Sequence, residues 1–266
     1  MRKNILGIYK AGNTLLHRLD PRVKLILSMA LMVLVFFLES PIALGIYAAF
    51  VFTLLFISKL SFKILLTSLR PIMFILTLAF FLNIFTVPGE IIWSWQFLKI
   101  SQEGLNLGIL VIIRLLLLTM QTTVLITYTT SSLLLADSIE SLLSPLRFFK
   151  VPVEDFALMI SIALRFVPTL AEEGEKIIKA QSARGANLDT GGFIEKIKGF
   201  MTILIPLFVN SIKRAYELAM ALEARSYGSS EKRTKYKPLE IKRVDIIFIL
   251  LSIIIVALII VAELLL

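Results

Sequence analysis

The sequence predicts an all-α integral membrane protein: five transmembrane helices, with two long cytoplasmic helices inserted between spans four and five. Three observations lead there. The 266 residues are 58% hydrophobic and only 18% charged, with a mean hydropathy of +0.88, whereas soluble domains run at about 45–50% apolar and about 25% charged. The apolar residues are gathered into blocks long enough to cross about 30 Å of hydrocarbon. Finally, 26 of the 28 lysines and arginines fall on one side of the membrane if the first span is entered from the cytoplasm.

The first span is expected over 23–38, opened by Asp20-Pro21, a helix N-cap followed by proline at the first helical position. The second covers 41–57 and the third 71–87, each again beginning at a proline. The fourth, 104–130, is long enough to tilt or to project beyond the bilayer. The fifth, 244–265, is nearly unbroken Ile, Leu and Val. Basic residues then crowd the N-terminal arm, the loop between spans two and three, and the region 133–243. Under the positive-inside rule this puts the N-terminus in the cytoplasm and the C-terminus outside.

Two apolar stretches inside 133–243, at 156–170 and 200–212, are not expected to cross. Arg165 and Pro168 interrupt one, and the other has only 13 residues, the length of a buried or interfacial helix. Crossing would also carry Lys176, Lys179, Arg184, Lys196 and Lys198 outside. Two long helices, over 153–184 and 193–225, are expected on the cytoplasmic face, with apolar sides free to pack on each other, on the membrane or on a partner.

Several chemistries are excluded. There is no cysteine for a disulfide or thiolate site, and the single histidine, His17, cannot build a metal centre alone. No HExxH pattern and no P-loop sequence occur. Any energy the chain uses from ATP therefore has to come from a partner. The polar-leaning start and the lack of an A-x-A site speak against a cleaved signal peptide. The charge of +9 follows topology and gives no reason to expect a nucleic-acid partner.

The two long helices end alike. One closes Ala183-Arg184-Gly185 and the other Ala224-Arg225-Ser226. Gly185 and Gly228 are the expected glycine caps. Arginine at a helix C-terminus complements the macrodipole, worth about 0.3–1 kcal/mol. Small neighbours add something further: they leave the guanidinium clear to enter a groove and make forked hydrogen bonds. Two such plugs suit a partner with two similar sockets.

Over almost the whole chain the sequence resembles the T component, the transmembrane coupling subunit, of energy-coupling factor (ECF) transporters, a class that includes cobalt-uptake membrane subunits. The resemblance lies in His17-Arg18-Leu19-Asp20-Pro21-Arg22-Val23-Lys24-Leu25, in Thr127-Tyr128-Thr129-Thr130, in Arg165-Phe166-Val167-Pro168 and above all in the pair of Ala-Arg-small motifs; Ser226 stands where glycine is usual. It implies a complex with two ABC-type ATPase subunits, which bind the ATP and magnesium, and one substrate-binding membrane protein, for vitamin or metal-ion uptake across a prokaryotic inner membrane. It further implies that Arg184 and Arg225 each dock into one ATPase. Residues 1–132 would hold the arm and spans one to four, 133–243 the coupling-helix region and 244–266 the last span. The chain itself would carry no cofactor, no metal site and no enzymatic activity.

The remaining candidates are structural or coupling residues. Asp20, Pro21 and Arg22 are expected to cap and orient the first span. Arg114, the basic residue inside a span, is a functional candidate by its cost alone, though it is placed to snorkel outward. Pro168 and Pro206 are expected to kink their helices. The competing reading, a stand-alone secondary transporter or channel, calls for ionisable groups or broken helices at mid-membrane, and apart from Arg114 the spans are nearly bare of charge.

Overall fold

The computed structural model describes residues 9, 12–95, 98–149, 151–185, 192–227 and 239–265. In chain order the elements are α1 (Leu15–Arg18), α2 (Pro21–Phe36), α3 (Pro41–Ser58), α4 (Phe62–Thr86), β1 (Ile91–Trp95), β2 (Leu98–Ser101), α5 (Gln102–Thr122), a π-helical turn (Thr123–Tyr128), α6 (Ser132–Leu143), a 3-10 turn (Ser144–Phe149), α7 (Val153–Ala183), α8 (Phe193–Ala224) and α9 (Arg243–Leu265). They fall into two compact units. One runs to Val153 and resumes at Leu239; the other is Glu154–Pro238. α6 packs against α2 and falls in the first of these units.

Four helical stretches are long and apolar enough to cross a membrane: Pro41–Ser58, Lys63–Thr86, Gln102–Tyr128 and Arg243–Leu265. The first expected span falls on α2, which has 16 residues and rises about 24 Å at 1.5 Å per residue. Its ends are nevertheless matched to those of α9. At one end the Asp20 N–H donates to Asp245 Oδ1 at 2.7 Å. At the other, the Glu263 carboxylate accepts from the N–H groups of Glu39 and Ser40 at 2.9 and 3.1 Å, capping the start of α3.

The third span differs from its expected start. Pro71 does not open the helix; it lies inside α4, which begins nine residues earlier, at Phe62. In a lipid-facing helix the alternative to continuing through a proline is to strand several backbone groups, so the helix continues. Between α4 and α5 the chain also forms an antiparallel hairpin, Trp95 pairing with Leu98, which the all-helical expectation did not contain. Ser101 closes it and caps α5 through the Gly104 N–H at 3.0 Å.

α4 and α5 lie close because of Gly104 and Gly108, one turn apart on α5. A methyl on Gly104 would stand 2.7 Å from Ser101 Oγ and 2.8 Å from the Asn83 carbonyl; one on Gly108 would stand 3.0 Å from the Phe80 ring. This small-xxx-small spacing lets two membrane helices approach backbone to backbone. Gly104→Ala is expected to lower stability by about 1–3 kcal/mol through overpacking, read as a lower melting temperature in detergent.

The core of this unit gathers Leu31 and Val35 of α2, Tyr47, Val51 and Leu54 of α3, Leu117 of α5, Val124 and Leu125 of the π-helical turn and Ile259 of α9. One polar contact crosses it: Tyr47 donates to Gln121 Oε1, and Gln121 Nε2 donates to the Ser28 carbonyl at 3.0 Å. All three residues are fully buried, so three helices, α2, α3 and α5, share one satisfied hydrogen-bond chain. The backbone widens to π geometry two residues later.

Candidate functional site

α7 and α8 stop in the same way. Ala183 and Ala224 are their last helical residues, Arg184 and Arg225 follow as caps, and the next residue turns left-handed: Gly185 at φ 83° and Ser226 at φ 55°. The Gly185 N–H donates to the Ser182 carbonyl at 3.0 Å. At the second end the Ser226 N–H donates to Glu223 at 2.8 Å and the Tyr227 N–H to Leu222 at 2.9 Å, the paired bonds of a Schellman cap. Gly228, expected as the second cap, lies outside the described residues, and Ser226 holds the left-handed position. A β-branched residue is strained there. Ser226→Val is expected to cost the helix end about 1–2 kcal/mol, seen as faster amide exchange at Tyr227. Both arginines and their small neighbours are exposed, so each guanidinium stands clear at a bent helix end.

The two helices are tied at one point. Glu173 on α7 accepts from Asn210 Nδ2 at 2.6 Å and pairs with Arg214 on α8 at 2.7 Å. N-terminal to Glu173 and C-terminal to Arg214, a cleft of about 280 Å³ is lined by Ile162, Phe166 and Leu170 from one helix and Ala215, Leu218 and Leu222 from the other. The helices therefore run in opposite senses, and Arg184 and Arg225 lie at opposite ends of the pair. Each arginine is about three helical turns past the tie, roughly 16 Å. Pro168 and Pro206 both sit within continuous helix, and Arg165 is exposed.

α8 buries none of its described residues, although 32 residues long. Phe200, Phe208 and Ile212 are 60%, 61% and 53% exposed and recur at helical spacing, an apolar face of the kind a partner covers.

In the membrane-helix unit, Asp20, Arg22 and Lys24 meet a set of distant residues. Asp20 Oδ1 accepts the Arg22 N–H at 2.8 Å, capping α2, and its carboxylate pairs with the Arg22 guanidinium. Lys24 Nζ donates to the Thr129 carbonyl at 3.2 Å and to the hydroxyls of Thr129 and Thr130 at 3.3 Å. Asp245 accepts backbone N–H groups from Asp20 and Lys242, both at 2.7 Å. Lys24 and Asp245 are 2% and 1% exposed; two acids and two bases balance. The sequence marked Asp20, Pro21, Arg22 and the threonines, but not that they touch, and it passed over Asp245. The signal was there: an acid in the first turn of an otherwise unbroken apolar block.

Arg114 does not reach mid-membrane chemistry. Its Nε donates to the Leu38 carbonyl at 3.0 Å, and Nη2 to the same oxygen, just past the end of α2. No group of three or more metal-ligating side chains occurs among the described residues.

The chain matches the CbiQ family, described as cobalt transport protein, over residues 12–236. It is similar to proteins named energy-coupling factor transporter transmembrane protein EcfT. That of Ruminiclostridium cellulolyticum is 46% identical over 247 residues, 93% of this chain and 92% of that protein. That of Bacillus subtilis is 42% identical over 240 residues, 90% of each. That of Limosilactobacillus fermentum is 37% identical over 263 residues, 98% of each.

Proposed function

Because this chain belongs to the CbiQ cobalt transport protein family of energy-coupling factor transmembrane components, we propose that it is the membrane scaffold and coupling subunit of an ABC-type importer. Two cytoplasmic ATPases, which hold ATP and magnesium, dock on Arg184 and Arg225, and a substrate-binding membrane protein covers the apolar faces of α7 and α8. Closure of the ATPases on ATP displaces the two helix ends, and the helices pass that displacement to the substrate-binding subunit. Vitamins and metal ions are the solute classes this arrangement serves. The chain hydrolyses nothing itself.

One observation carries the reading: two exposed Ala-Arg-small helix ends of matching geometry, placed at opposite ends of a tied helix pair. A stand-alone transporter has no use for them. Within the three-residue motif the ends differ only in Gly185 against Ser226, while the residues before it differ, so the two sockets they fit need be only similar.

The same reading places α2 as a fifth span, in the inner membrane of a prokaryote. Its support is the match to α9 at both ends, Asp20 with Asp245 and Glu39-Ser40 with Glu263. An odd number of spans puts the two termini on opposite sides, and the charge distribution favours the N-terminus in the cytoplasm and the C-terminus outside. The test is co-purification with candidate ATPase subunits: the chain is expected to bring down two of them and to transport nothing alone. Uptake by the purified chain in the absence of any ATPase would overturn the proposal.

A further inference from the structure

The chain leaves the membrane-helix unit for residues 154–238 and rejoins it at Leu239. The last α-helix before it leaves is α6. One side chain touches both sides of that excursion. Arg22 Nη1 donates to Ser141 Oγ on α6 at 3.0 Å, and Nη2 donates to the Leu239 carbonyl at 2.5 Å. The rest of the guanidinium is held by Asp20, Nε on Oδ1 at 3.3 Å and Nη2 on Oδ2 at 3.2 Å. Asp20 is itself fixed between two helices, since its side chain caps α2 and its N–H donates to Asp245 on α9. A planar fork with five donors can hold an orienting carboxylate and two separate acceptors at once, which a lysine ammonium on a flexible stem does poorly.

We infer that Arg22 is a positioning residue that clamps the outgoing and the returning chain of the coupling helices to the membrane bundle, so that displacement of α7 and α8 reaches the spans instead of being lost in the connecting chain. The inference rests on the coupling function proposed above. Asp20 aims the clamp, α2 and α9 anchor it, and Ser141 and Leu239 are what it grips. An interaction that transmits motion between two bodies shows itself as coupling: removing it lets each side work while separating their outputs.

The experiment uses the whole complex, with its ATPases and substrate-binding subunit, in proteoliposomes, measuring ATP hydrolysis and solute uptake side by side. Arg22→Gln is expected to assemble and to hydrolyse ATP within about twofold of the unaltered complex, while uptake per ATP falls about tenfold, a typical size for a coupling interaction. Arg22→Lys, which keeps the charge on Asp20 but not the fork, is expected to lose several-fold. Ser141→Ala removes one grip, leaves Asp20 paired, and carries the test if Arg22→Gln does not fold; it too is expected to lose uptake per ATP. The chain has no cysteine, so Ser141→Cys with Leu239→Cys in the Arg22→Gln background can be bridged by a short thiol cross-linker. Bridging is expected to restore uptake, and reduction of the linker to remove it again.

Uptake and hydrolysis falling in equal proportion would make Arg22 a stability residue and overturn the clamp, as would unchanged uptake per ATP in all variants. The coupling function fails separately, at the control: an unaltered chain that binds no ATPase sinks it, whereas a normal control with indifferent variants sinks only the clamp.

Discussion

Reversing both helix-end charges, Arg184→Glu with Arg225→Glu, is expected to abolish co-purification with the ATPases and reduce ATP-driven uptake to background. The expected size follows from what each arginine offers. A guanidinium entering a groove makes charge-assisted, forked bonds, and losing such a partner at an interface costs about 2–5 kcal/mol. Reversal adds repulsion from the acceptors already there. Because two docking points lie on one tied helix pair, each raises the effective concentration of the other; single reversals should therefore weaken assembly while the double reversal removes it. Both side chains are exposed, so the fold should be indifferent, and unchanged circular dichroism and melting temperature would separate lost docking from lost structure. A double variant that still assembles and transports would reduce the arginines to complements of the helix dipole.

Asp245→Ala is expected to be the most damaging single change in the membrane bundle. Asp245 is 1% exposed. Its carboxylate accepts two backbone N–H groups and, with Asp20, faces the buried Lys24 ammonium. Removing it leaves two buried backbone N–H groups without their acceptor and takes one of two carboxylates away from the Lys24 ammonium, and leaving buried polar groups unpaired costs about 1–3 kcal/mol each. The variant should express poorly and melt well below the parent in detergent. Changing Lys24→Met together with Asp245→Asn should cost less than the sum of the two single changes, because residues sharing one network do not act additively. A melting point for Asp245→Ala within a degree of the parent would refute the network's structural role.

The helical course of the chain was legible because membrane spans announce themselves by length and apolarity, and the two long helices by their paired endings. The expected ends at 184 and 225 fall one residue past Ala183 and Ala224. Local rules misled where context overrides them. Proline is a good helix opener at Pro21 and Pro41, yet Pro71 lies in mid-helix because lipid gives the backbone no other partner. The Ser226 cap was hidden because glycine, the usual left-handed residue, stands two positions further on. The contacts of Asp20 with Asp245, and of Lys24 with Thr129 and Thr130, join residues far apart in the chain, and no periodicity carries information at that range. The Gly104 and Gly108 pair was legible in principle, since its spacing is a known mark of close helix approach.

The two-ended match between α2 and α9 has a consequence for the lipid around the protein. From Asp245 to Glu263 the helix rises roughly 27 Å, and α2 with its short extension is held to that same height by polar contacts at both ends. Neither helix can slide or tilt past the other without breaking a cap. With α2 spanning as proposed above, the usual adjustments of a span to a bilayer of the wrong depth are closed to this pair, so the bilayer would have to deform around it. The pair would then behave as a gauge of fixed height, and a much thicker bilayer would load its two ends with strain.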